Sequence, residues 1–186
     1  FLINPVVVDA RTDSTTQLLS DKGYAVANVD ASGEKGGEDS FFQKDFEKRF
    51  FSEATNRIFC QTFLNHGLRD PISHEFGKSI VFAVSQNHAA KLTQLLNELA
   101  DALWPGKYQS DFAVQVTSLI TDAQQYTINF TNNSLLGSAN FLDAYKTSKA
   151  RVCVTVGMMT TGYDCPDILN LALMRPVFSP SDFVRI

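Results

Sequence analysis

Between residues 78 and 103 the hydrophobic rhythm changes within two positions, and that change restricts the fold more than any other feature of the chain. "KSIVFAV" (78–84) is a short apolar run, rich in β-branched residues and without polar alternation. That is the pattern of a strand buried on both faces. Ser85 follows where a helix N-cap stands. Ala89, Leu92, Leu95, Leu96, Leu99 and Leu103 then recur at helical spacing until Pro105-Gly106 stops them. The pattern repeats downstream. "DFAVQVTS" (111–118), "RVCVTV" (151–156) and "ILNLALM" (168–174) read as further strands. Asp122 caps an expected helix carrying Ala123, Tyr126 and Phe130, and "SANFLDAYKTS" (138–148) is another helical stretch. Strands at 79–84, 112–117, 151–156 and 169–174, alternating with helices, predict βαβ units. These give an α/β fold with a parallel sheet flanked by helices on both faces.

The upstream third is less regular. "PVVV" and "YAVANV" read as strands around a helix at about 14–22. "DASGEKGGEDS" (30–40) is glycine-rich and charged, and reads as an exposed, mobile loop. From 40 to 68 the pattern is helical, with Phe42, Phe46, Phe50, Ala54, Ile58 and Phe63 near a 3.6 period until Asp70-Pro71 ends it. The expected organisation is an N-terminal segment and linker at 1–40, a helical connection at 41–76, and the α/β domain at 77–186. The chain starts without Met and stops in "SPSDFVRI", which reads as the first turns of a helix. It is therefore expected to be part of something longer.

Composition narrows the chemistry. With 186 residues, 44% hydrophobic and 19% charged, the chain can bury a sizeable core. A net charge of −4 gives no support for a strongly basic nucleic-acid surface, though hydroxyls and backbone amides can still meet phosphates locally. Cys60, Cys153 and Cys165 are widely spaced, which suggests reduced thiols and a cytoplasmic setting rather than a zinc site or disulfide framework. No apolar run has the length of a membrane span, and the start lacks the features of a signal peptide. There is no G-x-x-x-x-G-K-[ST], no G-x-G-x-x-G after a strand and no G-x-S-x-G. His66, His74 and His88 make no metal-ligand pair, and His88 reads as a capping or packing residue. Asp164 and Asp167 are two carboxylates in one turn, which by themselves are ordinary solvated groups.

An ordered series of polar turns remains. In parallel sheets ligands sit beyond the carboxyl ends of the strands. Ser85, Thr117-Ser118 and the run from 155 to 164 fall there by position. "GKSIVFAVSQNHAAKLTQLL" (77–96) resembles motif IV of superfamily 2 helicases, and "VTSLIT" (116–121) sits where those proteins carry the next polar turn. "ARVCVTVGMMTTGYDCPDILNLALMRPVFSPSDFVRI" (150–186) is similar to motif V and the approach to motif VI. The T-T-G-x-D-x-P turn, the "LALMRPV-SPSDF" segment, the "SQNHA" helix start and "FEKRFFSEATNRIFCQTFL" (46–64) look most like the restriction (R) subunit of type I restriction–modification enzymes. Related DEAD/DEAH-type restriction and repair helicases share the T-G-x-D-x-P turn. The resemblance runs from about residue 41 to the end.

The resemblance implies the second RecA-like lobe of an ATP-dependent DNA translocase. Gly162 and Asp164 then match residues on the nucleotide side. Ser85, Thr117, Thr155 and Thr161 match contacts to the nucleic-acid backbone. A glycine permits close approach of the main chain, a carboxylate can accept from a ribose hydroxyl or hold an arginine, and hydroxyls take phosphate oxygens without reading bases. The implied cofactors are ATP and Mg²⁺ in the intact motor, with no metal ligand and no catalytic residue in this chain. The implied partners are double-stranded DNA, the first RecA-like lobe of the same chain, and the modification and specificity subunits, with no membrane. Motif VI, with its Q-x-x-G-R-x-x-R, would begin after Ile186, and Arg185 is not its arginine finger. The chain alone is expected to be inactive, because phosphoryl transfer needs all of those charges placed together. Two rival readings are a RecA-like or Rossmann-like binding module without catalysis, and a small-molecule α/β enzyme such as a nucleotide-sugar transferase. The second would use Asp164 as its metal or ribose group but has no D-x-D or His partner.

Overall fold

The computed structural model describes residues 53–132, 149–160 and 163–175. The chain divides into two units between Thr55 and Asn56, and the described residues belong almost wholly to the second. The expected strands and helix before residue 30, the 30–40 loop, Phe42, Phe46 and Phe50, the 138–148 helix and the end from 176 lie outside them.

Among the described residues seven elements follow in order: α1 (Glu53–His66), β1 (Lys78–Ala83), α2 (Gln86–Leu103), β2 (Ala113–Gln115), α3 (Ala123–Thr131), β3 (Val152–Thr155) and β4 (Ile168–Met174). The strands form one sheet in the order β2-β3-β1-β4. All three pairings are parallel, with Ser79 opposite Val152, Ala113 opposite Val152 and Phe82 opposite Leu173. This is the parallel α/β architecture read from the sequence, and it is consistent with a RecA-like fold. The register of β1 against β4 slips at the amino end, where Lys78 faces Ile168 but Ser79 faces Asn170.

Alternation along the strands divides the core into two layers. Val81, Ala83, Val152 and Val154 face one side, with Cys60 and Leu64 of α1 and Ala89, Leu92, Leu95, Leu96 and Ala100 of α2. Ile80, Phe82 and Cys153 face the other, with Ala123 and Phe130 of α3. Successive strand side chains point to opposite faces, so a strand buried at every position needs cover on both. β1 is buried at all six positions.

α2 occupies the range its periodicity predicts. α1 does not present the face expected of it. Asn56, Cys60 and Leu64 are buried, while Ile58 is 56% exposed. Aromatic residues on neighbouring faces obscured the phase, since Phe59 and Phe63 also pack against the core. The helix ends at His66, four residues before Asp70-Pro71. At Gly67 a Cβ would stand 2.3 Å from the Phe76 ring, so a side chain there would displace that ring. Asp70 instead shapes a turn, its Oδ1 accepting from the amides of Ile72 (2.9 Å) and Ser73 (2.7 Å). These bonds, with Ser73 contributing most, hold its carboxyl below the usual value.

β2 is shorter than expected, at three residues. Asn97 of α2 serves this strand as a backbone surrogate: its amide donates to the Ala113 carbonyl (3.0 Å) and its carbonyl accepts from the Ala113 amide (2.8 Å). Such cover satisfies edge groups that would otherwise be open to pairing. Asn170 of β4 does the same for Leu68, accepting from its amide (2.7 Å) and donating to its carbonyl (3.2 Å).

One aromatic cluster closes the α1–α2 layer. The fully buried Phe76 meets Phe63 at 5.2 Å, Phe112 at 5.5 Å and Trp104 at 6.3 Å between ring centres. Phe76→Ala is expected to cost about 3–5 kcal/mol, because the cavity it leaves is walled by rings from three directions. Urea unfolding checks this, and a loss under 1 kcal/mol would mean the cluster collapses without penalty.

Candidate functional site

Because every strand is parallel, the segments after β1, β2, β3 and β4 all leave from one edge of the sheet. Ser85, Thr117, Gly157 and Arg175 are on that edge by topology. Ser85 has extended backbone, and its hydroxyl accepts from the His88 amide at 3.2 Å, which caps α2. His88 is a packing residue. Its Nδ1 accepts from the Val84 amide (3.2 Å), which leaves Nε2 to donate to Asn56 Oδ1 (3.1 Å). Thr117 is buried, with its hydroxyl 3.4 Å from the Gln115 amide nitrogen. Thr155 is also buried, and its hydroxyl donates to the Met158 carbonyl at 3.1 Å. Thr160 adds a second such bond, to the Gly157 carbonyl at 3.0 Å. Between these bonds Met159 holds a left-handed backbone, with φ of 66°. That conformation is uncommon away from glycine and persists where the surroundings impose it. The threonine hydroxyls at this edge therefore hold the shape of their own turns. Thr161 and Gly162 lie outside the described residues.

A surface groove of about 630 Å³ opens beside this edge, lined among others by Ser118, Ile120, Asp122, Gln125, Ile128 and Met158. Among the described residues its lining contains no lysine or arginine. Asp122 starts α3 in a left-handed conformation and makes no side-chain capping bond, in contrast to the capping role expected of it. Among the described residues one buried side-chain polar atom has no partner, the Oε1 of Gln86 in the first turn of α2.

Sequence reading missed Arg175. Its Nη1 donates to the Val156 carbonyl at 3.0 Å, and its guanidinium lies 5.6 Å from the centre of the Phe82 ring. It thus ties the ends of β4, β3 and β1 together. The available signal was an arginine directly after the last buried run.

Asp164 stands apart from Ser85 and Thr117. It lies on the return segment that carries the chain from β3 to the start of β4, one residue before the turn closed by the Ile168 amide on the Cys165 carbonyl (3.2 Å). The residues on either side of it are tied inward. The Tyr163 hydroxyl donates to the Thr127 carbonyl (3.3 Å) and lies 3.0 Å from the Thr131 hydroxyl. Burial, the leading cause, pushes the Tyr163 phenol well above its usual value. The Cys165 thiol donates to Asp167 at 3.0 Å, and burial foremost, then that bond, raises its pKa. Asp164 itself is exposed, and among the described residues it makes no hydrogen bond or ion pair. A carboxylate held between two anchored neighbours, and free among the described residues, is available to a ligand or to another surface.

Asp167 is engaged differently. Lys78 Nζ lies 2.8 Å from its Oδ2. Burial pushes the Asp167 carboxyl up, but the bonds from Lys78 and Cys165 outweigh it and hold the group below its ordinary 3.8. Among the described residues no three His, Cys, Asp or Glu side chains gather as metal ligands, and no helix is long and apolar enough to cross a membrane.

The structure defines an α/β parallel-sheet domain with strand-end turns along the carboxyl edge and, apart from them on the return segment, one presented carboxylate. No family model matches the chain. It is similar to the endonuclease subunit of the EcoKI type I restriction enzyme of Escherichia coli K12, at 27% identity over 188 residues. The alignment covers 96% of this chain and 15% of that subunit, so the chain spans about a seventh of its relative's length.

Two outcomes follow for stability. Ser85→Ala is expected to cost about 0.5–2 kcal/mol through the lost cap, whereas Asp164→Asn should stay within about ±0.5 kcal/mol; urea midpoints compare them. The depressed Asp167 carboxyl contributes stability that is present above its unfolded value of about 3.9 and is lost as pH falls through the lower folded value. Asp167→Asn should therefore flatten the fall in the urea midpoint below about pH 4. An unchanged acid limb would show that the Lys78 pairing adds nothing to folding.

Proposed function

We propose that this chain is the second motor lobe of an ATP-dependent DNA translocase, acting within the R subunit of a type I restriction enzyme. The observation that carries the proposal is Asp164, a carboxylate fixed by anchored neighbours, unpaired among the described residues, and separated only by Tyr163 from the Thr160–Gly162 run. The similarity to a type I restriction endonuclease subunit extends along 96% of the chain and supports the same reading. In this proposal Gly162 and Asp164 face the nucleotide. Ser85, Thr117, Thr155 and Thr161 line the path of the DNA backbone. The buried hydroxyls of Thr117 and Thr155 act there by holding turns whose main chain meets phosphate.

A groove whose described lining carries no lysine or arginine suits a protein that moves along its substrate. Each cation–phosphate contact adds counterion release and salt-dependent affinity, which a translocating protein must undo at every step. ATP with Mg²⁺ supplies the driving phosphoryl transfer in the intact motor, and this chain's part is to position groups toward it. Double-stranded DNA, the first RecA-like lobe, and the modification and specificity subunits are the partners in this reading. The isolated 186-residue chain is expected to show no ATPase activity.

The test is Asp164→Ala in the intact protein, measured as DNA-stimulated ATP turnover. A lost charge-assisted bond of about 1.5–3 kcal/mol corresponds to roughly a ten- to hundredfold loss of rate. Turnover that survives unchanged would sink the proposal. A large drop in thermal midpoint of the isolated chain would instead make Asp164 a structural residue.

A further inference from the structure

We propose that Lys78, buried at the amino end of β1, is the positioning residue for the segment that presents Asp164. The proposal rests on the nucleotide-side reading of Asp164. Lys78 is 2% exposed, and its ammonium is shared between two parts of the fold, the return segment and α3. It meets Asp167 at 2.8 Å and Cys165 Sγ at 3.8 Å on the return segment. It donates to the Thr131 carbonyl at 3.1 Å, in the last turn of α3, where helix carbonyls lack partners. It also lies 5.2 Å from the centre of the Phe130 ring.

A buried ammonium is costly unless each of its protons has a partner. Lysine has three donors, and these three acceptors come from α3 and from both Cys165 and Asp167. The register slip beside Lys78 leaves Leu169 unpaired between Ile168, opposite Lys78, and Asn170, opposite Ser79, so the pairing is irregular where the return segment joins β4. At its other end Tyr163 is bonded to α3. Lys78 and Tyr163 therefore fasten the segment on both sides of Asp164, and of the two Lys78 carries the charge.

The arrangement suits a positional role better than a purely stabilising one. The Asp167 side chain is half exposed and can be solvated without Lys78. Lys78→Met keeps the stem volume against Phe130 and strands no buried charge. The fold should survive it while the segment loosens.

The experiment is a double-mutant cycle on the intact protein, with MgATP and double-stranded DNA as ligands. Wild type, Lys78→Met, Asp164→Asn and the double variant are compared for the KM and kcat of ATP turnover, and for amide exchange across 163–167. Lys78→Met is expected to speed exchange there and to raise the KM for ATP about tenfold, equivalent to about 1.4 kcal/mol. In the Asp164→Asn background it should add less than about twofold, because it acts through that carboxylate. Asp167→Asn serves as the milder variant if Lys78→Met fails to fold, with the same non-additivity expected. An unchanged KM in Lys78→Met while Asp164→Asn is impaired overturns the positioning role and leaves the function intact. Full multiplicative loss in the double variant overturns it too, since Lys78 would then act elsewhere. If Asp164→Asn alone turns over ATP normally, the functional reading fails, and Lys78 has nothing to position.

Discussion

A strand buried on both faces must pair all of its backbone groups inside the sheet, because no water reaches them. β1 meets that demand by lying between β3 and β4, with both partners parallel. Parallel neighbours cannot be joined by tight hairpins, so each connection has to travel the length of the sheet. α2 makes one such journey over one face, and α3 lies on the opposite face after β2. The connection from β3 to β4 is different. Its described parts, 156–160 and 163–167, contain no helix, and they are fixed by side-chain bonds.

That difference explains which parts of the fold were legible in the sequence. α2 was read to the residue because a cap, a periodic face and a Pro-Gly stop agree. The four strands were found as short, mainly apolar runs, with β2 shortened because Asn97 and the Thr117 turn take over its ends. α1 was found but rotated, since aromatic residues on adjacent faces give no single phase. Lys78 was invisible as a site. A lysine opening an apolar run reads as a stem reaching for water, and only the tertiary structure shows Asp167, Cys165 and Thr131 waiting for it.

The candidate site was legible as a location and less so as a geometry. Parallel topology places Ser85, Thr117 and Gly157 on one edge, as the polar strand ends suggested. A hydroxyl in sequence, however, does not reveal whether it faces a ligand or its own backbone. Thr155 and Thr160 spend theirs on carbonyls three residues away, as threonine commonly does in turns. A left-handed methionine at 159 is held between those two bonds. Strain of this kind at a strand end is tolerable because the bonds on both sides determine the turn.

Asp164 and Asp167 show why two nearby carboxylates can have separate roles. Asp167 gives up its freedom to a buried ammonium, and the cost of burying that ammonium is offset by groups drawn from two elements. Asp164, three residues earlier, keeps its charge exposed and unpaired among the described residues. A carboxylate on a loose loop would lose conformational entropy on meeting a ligand, whereas one on a fastened segment has already lost it during folding. The bonds of Tyr163, Cys165 and Lys78 thus shift an ordering cost from binding to folding. A buried lysine at the amino end of the sheet and an exposed aspartate one residue ahead of the β4 turn become parts of one arrangement, coupled through the five residues from 163 to 167.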